Sequence, residues 1–259
     1  MIAKNEEKFL EKCLNSVKSI ADEIIIVDTG STDKTKEIAK KFNAKVYDFK
    51  WNNDFSKARN FSIRKAAKSW ILVLDADETI NKKDLIKDNP KNNKIMGYSF
   101  VQRTYCSQIK KLKFNFSKND IYAESKPFIG WHYRGITRLF KNDKRITFVY
   151  PIHETITESI KKSKGRIMHT NIPIHHFHAL KGNDFINKKS KYYAKLLKNK
   201  IKSYPKAKFY FELALELENL SKRKEAKKYF DKAIELNHSY KKLCDKLNSP
   251  QSPQPFPWL

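Results

Sequence analysis

Acidic residues are scarce in this 259-residue sequence: 28 Asp and Glu stand against 54 Lys and Arg, for a formal net charge of +26. Six glycines and nine prolines exclude a collagen-like or linker-rich chain. The three cysteines, Cys13, Cys106 and Cys244, lie far apart and form no CxxC pair. That argues against a disulfide framework or a structural zinc site and fits free thiols in a reducing cytoplasm. No apolar run approaches a membrane span, and the N-terminus lacks the apolar core of a signal peptide. A cytoplasmic chain is expected, with lysines that leave room for peripheral contact at the inner face of the membrane.

The basic excess is a polyanion signal. It is mostly lysine, however, spread over nearly the whole chain and accompanied by abundant asparagine and isoleucine, as a biased genome produces. No nucleic-acid reader motif accompanies it, so no nucleic-acid partner is expected. The length suits one large domain plus an appendage.

The first hundred residues alternate helix and strand signals. Phe9, Leu10, Cys13, Leu14 and Val17 recur at helical spacing within 5–20. Ile24 to Val27 reads as a buried strand ending at Asp28. A Gly30 turn then leads into a helix over 33–42, with Ser31, Thr32 or Asp33 as N-cap. "AKVYDF" predicts a strand, 55–68 a helix, and Trp70 to Leu74 another buried strand. Such alternation predicts an α/β fold with a mostly parallel sheet, helices on both faces, and ligands beyond the carboxyl ends of the strands. The first strand, around Met1-Ile2-Ala3, is either very short or begins upstream.

From 81 to 119 the pattern loosens around the alternating "GYSFVQRTYC". "HYRGITRLFKND" and "RITFVYPIHETI" read as two strands joined by a polar turn. Residues 184–203 and 207–237 have helical spacing, which predicts domains at 1–180 and 181–248, then an irregular tail over 249–259. Tyr210, Leu213, Ala214, Leu217, Ala226, Phe230 and Ala233 fit one tetratricopeptide unit or a plain helical hairpin.

The chemistry concentrates at strand ends. Asp28 ends one aliphatic run, and Asp75 and Asp77 follow "WILVL". Carboxylates converging in one crevice repel unless a cation joins them. Mg²⁺ or Mn²⁺, which take oxygen ligands and bridge phosphates, are the economical answer. Asp75 and Asp77 point the same way if extended. A bare Asp-x-Asp carries little weight, since surface charge or a helix cap explains it as well; its position after a buried strand is the informative part. In "WNNDFSKARN", Arg59 can meet a nucleobase carbonyl or a phosphate, and Asp54 can cap the helix. His175, His176 and His178 could form a zinc site, but their i, i+1, i+3 spacing suits one strand face poorly.

"KNEE…L…CL.S", "DEIIIVDTGSTDKT", "WNNDFSKARN" and "WILVLDADE", in this order over roughly 1–79, resemble the family 2 glycosyltransferases. The later "IHE", a histidine near 176 and a helical tail resemble a bacterial subgroup with tetratricopeptide tails, lipopolysaccharide-core glucosyltransferase-like or peptide S-glycosyltransferase-like. The resemblance implies a GT-A type fold with a C-terminal helical hairpin. It implies metal-dependent, inverting transfer from a nucleotide-sugar, a UDP-sugar first, to a glycan, lipid-linked or peptide acceptor in cell-envelope glycan synthesis. Asp28 would contact uracil or ribose, Arg59 the base or diphosphate, and the loop around Ala3, Asn5 and Glu6 would flank the nucleotide. Asp77 would ligate the metal directly, Asp75 would hold the ribose or a metal-bound water, and His176 would complete the metal site. Where the family has His-x-Gly-Tyr, this chain has His176-Phe177-His178-Ala179.

Inverting transfer needs a carboxylate base. Glu154, Glu158 and Asp143 are candidates, and Glu154 matches the family's "HE". His153 would orient the acceptor or simply pack, and Glu78 is a structural neighbour. A second copy of the chain is an allowed partner. The rival readings are a non-catalytic basic binding module, which has no need for Asp75, Asp77 and Glu154 together, and a nucleotidyltransferase, whose glycine-rich basic loop after the first strand is missing here.

Overall fold

The structure, a computed structural model, describes residues 1–85, 94–107 and 114–248. Its contacts divide the chain into two units: Met1–Thr104 with Tyr133–Phe177, and Tyr105–His132 with His178–Leu259. Residues 105–132 therefore group with the C-terminal segment, unlike in the expected 1–180 and 181–248 division. The tail expected to be irregular, 249–259, lies outside the described residues, as do parts of the loosened 81–119 stretch.

The first unit opens with β1 (Ile2–Ala3), α1 (Leu10–Val17), β2 (Ile25–Asp28), α2 (Thr35–Lys41), β3 (Lys45–Asp48) and α3 (Phe55–Arg64). α1 buries Leu10, Cys13, Leu14 and Val17, one stripe at the i, i+3, i+4, i+7 spacing. Asp54 caps α3 by accepting the Lys57 amide at 3.0 Å. β1, β2 and β3 pair in parallel, with Ala3 opposite Asp28 and Asp28 opposite Asp48. Gly30, at φ 107°, makes the left-handed turn after β2 that brings its own amide and that of Ser31 back to Asp28.

The chain continues through β4 (Trp70–Leu72), β5 (Glu78–Thr79), α4 (Lys82–Leu85), β6 (Ile95–Cys106), β7 (Phe114–Phe116), β8 (Gly130–Lys141), α5 (Thr157–Lys162) and β9 (Arg166–His176). A second sheet has the order β4-β8-β6-β9-β5, with β7 on β8. β6 and β9 are parallel, whereas β4/β8, β5/β9 and β7/β8 are antiparallel. The expectation of a mostly parallel sheet thus holds for β1–β3 and is corrected here, because β8 and β9 return antiparallel along β4 and β5.

Two further expectations change. "RITFVYPIHETI" is no strand: Val149 and Thr155 alone exchange backbone hydrogen bonds, at 3.0 and 3.1 Å, closing a loop in which Tyr150 and His153 have positive φ. β4 stops at Leu72, and residues 75–78 form a turn closed by the Glu78 amide on the Asp75 carbonyl at 3.0 Å. Asp75 and Asp77 are therefore not on one extended face. Val73, Leu74 and Ala76 each enter a different apolar cluster, so the turn is anchored on several sides.

The second unit contains α6 (Asn183–Ser203), α7 (Ala207–Asn219), α8 (Arg223–Leu236) and α9 (Tyr240–Asn248). The expected helical segment over 207–237 splits at 220–222, where Ser221 has φ 60°. Ala214, Ala226 and Ala233 are fully buried where α7 and α8 pack. The three cysteines are free and buried. Among the described residues no helix is long and apolar enough to cross a membrane.

Candidate active site

Three groups of polar side chains gather in the first unit. The first lies at the carboxyl ends of β1 and β2. Asp28 is 1% exposed; its Oδ1 accepts the Gly30 and Ser31 amides, both at 2.9 Å, and faces Lys36 Nζ at 3.7 Å. Burial pushes this carboxyl upward, but the hydrogen bonds from Ser31 and Gly30 and the Lys36 charge outweigh it and hold the pKa below the ordinary aspartate range. Oδ2 of Asp28 is buried with no hydrogen-bond partner. The neighbouring loop is knitted to β2's loop. The Ala3 carbonyl accepts Thr29 N–H at 2.9 Å, Asn5 Oδ1 accepts the Thr32 amide at 2.8 Å, and the Glu6 amide donates to Thr35 Oγ1 at 2.7 Å.

The second group is a charge network around the 75–78 turn. Asp75 accepts from Arg59 Nη2 at 2.7 Å and from Arg138 Nη2 at 2.8 Å, one arginine on each oxygen. Arg138 also reaches Glu78 Oε1 at 2.7 Å. Glu78, fully buried, accepts the Asp75 amide at 2.8 Å and a hydrogen bond from Gln102. Arg59 Nε donates to Glu154. Burial raises the Asp75 carboxyl, yet Arg138 and Arg59 together hold it well below the ordinary range. For Arg59, burial opposes the charge, and Asp75 then Glu154 overcome that and push its pKa up.

α3 explains how Glu154 is delivered. The Phe55 amide donates to the Pro151 carbonyl at 2.8 Å. Asn60 exchanges hydrogen bonds with the Phe148 backbone, at 2.9 and 2.7 Å. Arg59, between them, holds Glu154. One helix thus grips the 148–155 loop at three places. The other base candidates are committed elsewhere: Asp143 to Arg145, which draws its pKa down to about 2, and Glu158 to the Tyr150 hydroxyl at 2.7 Å.

The third group is a donor set for a divalent cation. His176 Nε2 lies 3.5 Å from Asp77 Oδ2, and its Nδ1 lies 3.0 Å from Thr104 Oγ1. Asp77 and His176 each offer one ligand atom, and these lie within 4.8 Å of one another. Asp75 is not in that group. In the β5/β9 ladder Glu78 faces His176 and Thr79 faces His175, which is fully buried, so the two adjacent histidines occupy opposite faces. A carboxylate beside an imidazole fits part of a divalent ion's shell, and of Mg²⁺ and Mn²⁺ the nitrogen donor favours Mn²⁺. Sequence reading gave no role to Arg138, Gln102 and Thr104, which carry no local motif, nor to Asn60, which closes the "WNNDFSKARN" stretch.

The model of the family described as Glycosyl transferase family 2 matches residues 1–138. A TPR repeat-containing protein of Synechococcus elongatus is 36% identical over 160 residues, covering 62% of this chain and 35% of that protein. An uncharacterised glycosyltransferase of Rickettsia bellii is 35% identical over 164 residues, covering 63% of this chain and 52% of that protein. The chain thus spans about half or less of the length of these relatives. Among solved structures, a mannosyltransferase of Pyrobaculum calidifontis in complex with GDP-mannose and Mn²⁺ is similar at 15% identity and a TM-score of 0.48, covering 94% of this chain and 76% of that one.

Proposed function

The chain belongs to glycosyl transferase family 2, and from that premise we propose that it transfers a sugar from a UDP-sugar to a glycan, lipid-linked or peptide acceptor, in the cytoplasm, with inversion at the anomeric carbon. The observation that carries this reading is the meeting of Asp77 and His176 directly beside the Asp75–Arg59–Glu154 network.

In this reading Asp28 contacts uracil or ribose through Oδ2, which is buried and has no hydrogen-bond partner among the described residues, and Ala3, Asn5 and Glu6 shape the loop that flanks the nucleotide. Asp77 and His176 would hold a divalent ion. When bound, that ion neutralises charge gathering on the departing diphosphate. Asp75 fixes Arg59 and Arg138, and Arg59 in turn holds the Glu154 carboxylate in place. The bond from the anomeric carbon to the diphosphate breaks as the acceptor's bond forms on the opposite face, and the acceptor's proton passes to Glu154. The name of the Synechococcus relative supports reading α7 and α8 as one tetratricopeptide-type pair.

The test is thermal unfolding with UDP, with and without Mn²⁺, followed by a panel of UDP-sugars read as donor hydrolysis. Metal-dependent stabilisation by UDP and turnover of one donor are expected. Indifference to UDP in the presence of Mn²⁺ would remove the reading.

A further inference from the structure

One face of α6 carries charge that the rest of the helical unit does not match. Lys188, Lys191, Lys195 and Lys202 are all exposed. On an ideal helix they fall within an arc of about 60° and span about 21 Å. Among the described residues none of the four makes an ion pair, and neither do the exposed Lys224 and Lys228 of α8, whereas Lys198, off that arc's centre, pairs with Glu225. The N-terminal approach to the same helix exposes two large apolar side chains, Leu180 at 57% and Phe185 at 43%. Phe185 sits about 60° from Lys188 around the helix, at the edge of the lysine face.

We propose that this face docks on an anionic phospholipid bilayer, with the four lysines at the headgroup phosphates and Leu180 and Phe185 entering the interface. The argument is charge complementarity joined to shape. A straight row of four lysines, with exposed Asp184 one turn before Lys188 as the acid of α6 in the same arc, still fits a flat, negative surface. A soluble polyanion would satisfy the lysines but gives nothing to the two exposed apolar side chains; the bilayer interface takes both. The proposal is independent of the transfer reading and would place the protein at a membrane without any spanning helix.

The experiment is co-sedimentation of the full chain with vesicles of phosphatidylcholine alone or of phosphatidylcholine mixed with phosphatidylglycerol. Binding is expected to the mixed vesicles only and to weaken with salt. Each lysine at such a surface is worth about fivefold in partitioning. Combined Lys188→Gln, Lys191→Gln, Lys195→Gln and Lys202→Gln should therefore lower it at least about 100-fold, with helix content unchanged by circular dichroism. Leu180→Ser with Phe185→Ser should remove the binding that survives high salt. A control neutralises four exposed lysines of the first unit, Lys18, Lys40, Lys41 and Lys68, and should cost much less. Equal loss in the control would show that net charge, not this face, drives binding, and would overturn the proposal. So would undiminished binding of the α6 variant, or tight binding to heparin or a DNA oligonucleotide with none to vesicles. UDP binding by the α6 variant, measured in parallel, separates this outcome from any failure of the transferase reading.

Discussion

Arg59 Nη2 and Asp75 Oδ1 lie 2.7 Å apart, and this contact is one link in a chain of alternating charge that runs from Glu154 through Arg59, the half-buried Asp75 and Arg138 to Glu78. Glu78 has no exposure and Arg138 only 4%. Removing one member of such a chain leaves its partner as a buried, uncompensated charge. Arg138→Met should therefore destabilise the fold by about 3–5 kcal/mol in urea unfolding. Arg138→Lys keeps the charge but loses the fork that reaches both acids, so an intermediate loss is expected. A loss below 1 kcal/mol for the methionine variant would mean that the network relaxes around the missing group.

The same network sets an acid limit. Asp75 and Asp143 both have folded-state pKa values held below the ordinary aspartate value, Asp75 by Arg138 and Arg59 against burial, Asp143 by the hydrogen bonds and charge of Arg145. A depressed folded pKa contributes stability above the unfolded value of about 3.9, and that contribution is lost as pH falls through the folded value. Stability is expected to be insensitive to these groups above about pH 5. For Asp143, whose folded value is about 2, the loss runs from the unfolded value down to there. Asp143→Asn should flatten that part of the acid unfolding curve and leave Asp75's contribution. An unchanged curve would show that Arg145 does not hold Asp143 in solution.

Glu154→Gln tests the base without disturbing the frame much, because a glutamine carbonyl can still accept from Arg59 Nε. UDP binding should persist, while transfer falls by about 10²–10⁴. Full turnover in this variant would place the base elsewhere. Asp143 and Glu158 are poor replacements, since Arg145 and the Tyr150 hydroxyl already occupy their carboxylates.

What could be read along the sequence is what neighbouring residues decide. The aliphatic run before Asp28 announces a buried strand, the stripe from Leu10 to Val17 announces α1, and Asp54 announces the start of α3; the run before Asp75 gives only a half-buried edge strand that ends at Leu72. What could not be read is pairing at a distance. Arg138 is 63 residues from Asp75, and Arg59 is 95 from Glu154. Nothing near Arg138 marks it as anything other than one more basic residue on a strand. The alternation in "RITFVY" satisfies the strand pattern, yet left-handed Tyr150 and His153 turn the following segment into a loop, and no local propensity foretells that. Asp75 and Asp77 were legible as a pair of acids, but their separation into an arginine-facing and a histidine-facing carboxylate depends on the 75–78 turn and on strands that arrive later.

Thr104 is the sharpest test of that late-arriving part. It stands opposite His176 in the parallel β6/β9 register, and its hydroxyl meets the ring at Nδ1. With Nδ1 donating to Thr104, the lone pair of His176 is on Nε2, the nitrogen that faces Asp77. Thr104→Val keeps the shape and deletes the hydroxyl, so the ring can rotate or change tautomer. Loss of such an outer partner typically weakens metal affinity about 10–100-fold. The expected result is a matching rise in the Mn²⁺ concentration needed for UDP-dependent stabilisation, with UDP binding in excess Mn²⁺ restored. If Asp77→Ala abolishes the Mn²⁺ effect and Thr104→Val leaves its midpoint unmoved, Asp77 is the anchor and the orientation of His176 is irrelevant to the ion. If both leave it unmoved, the ion does not sit between Asp77 and His176 at all.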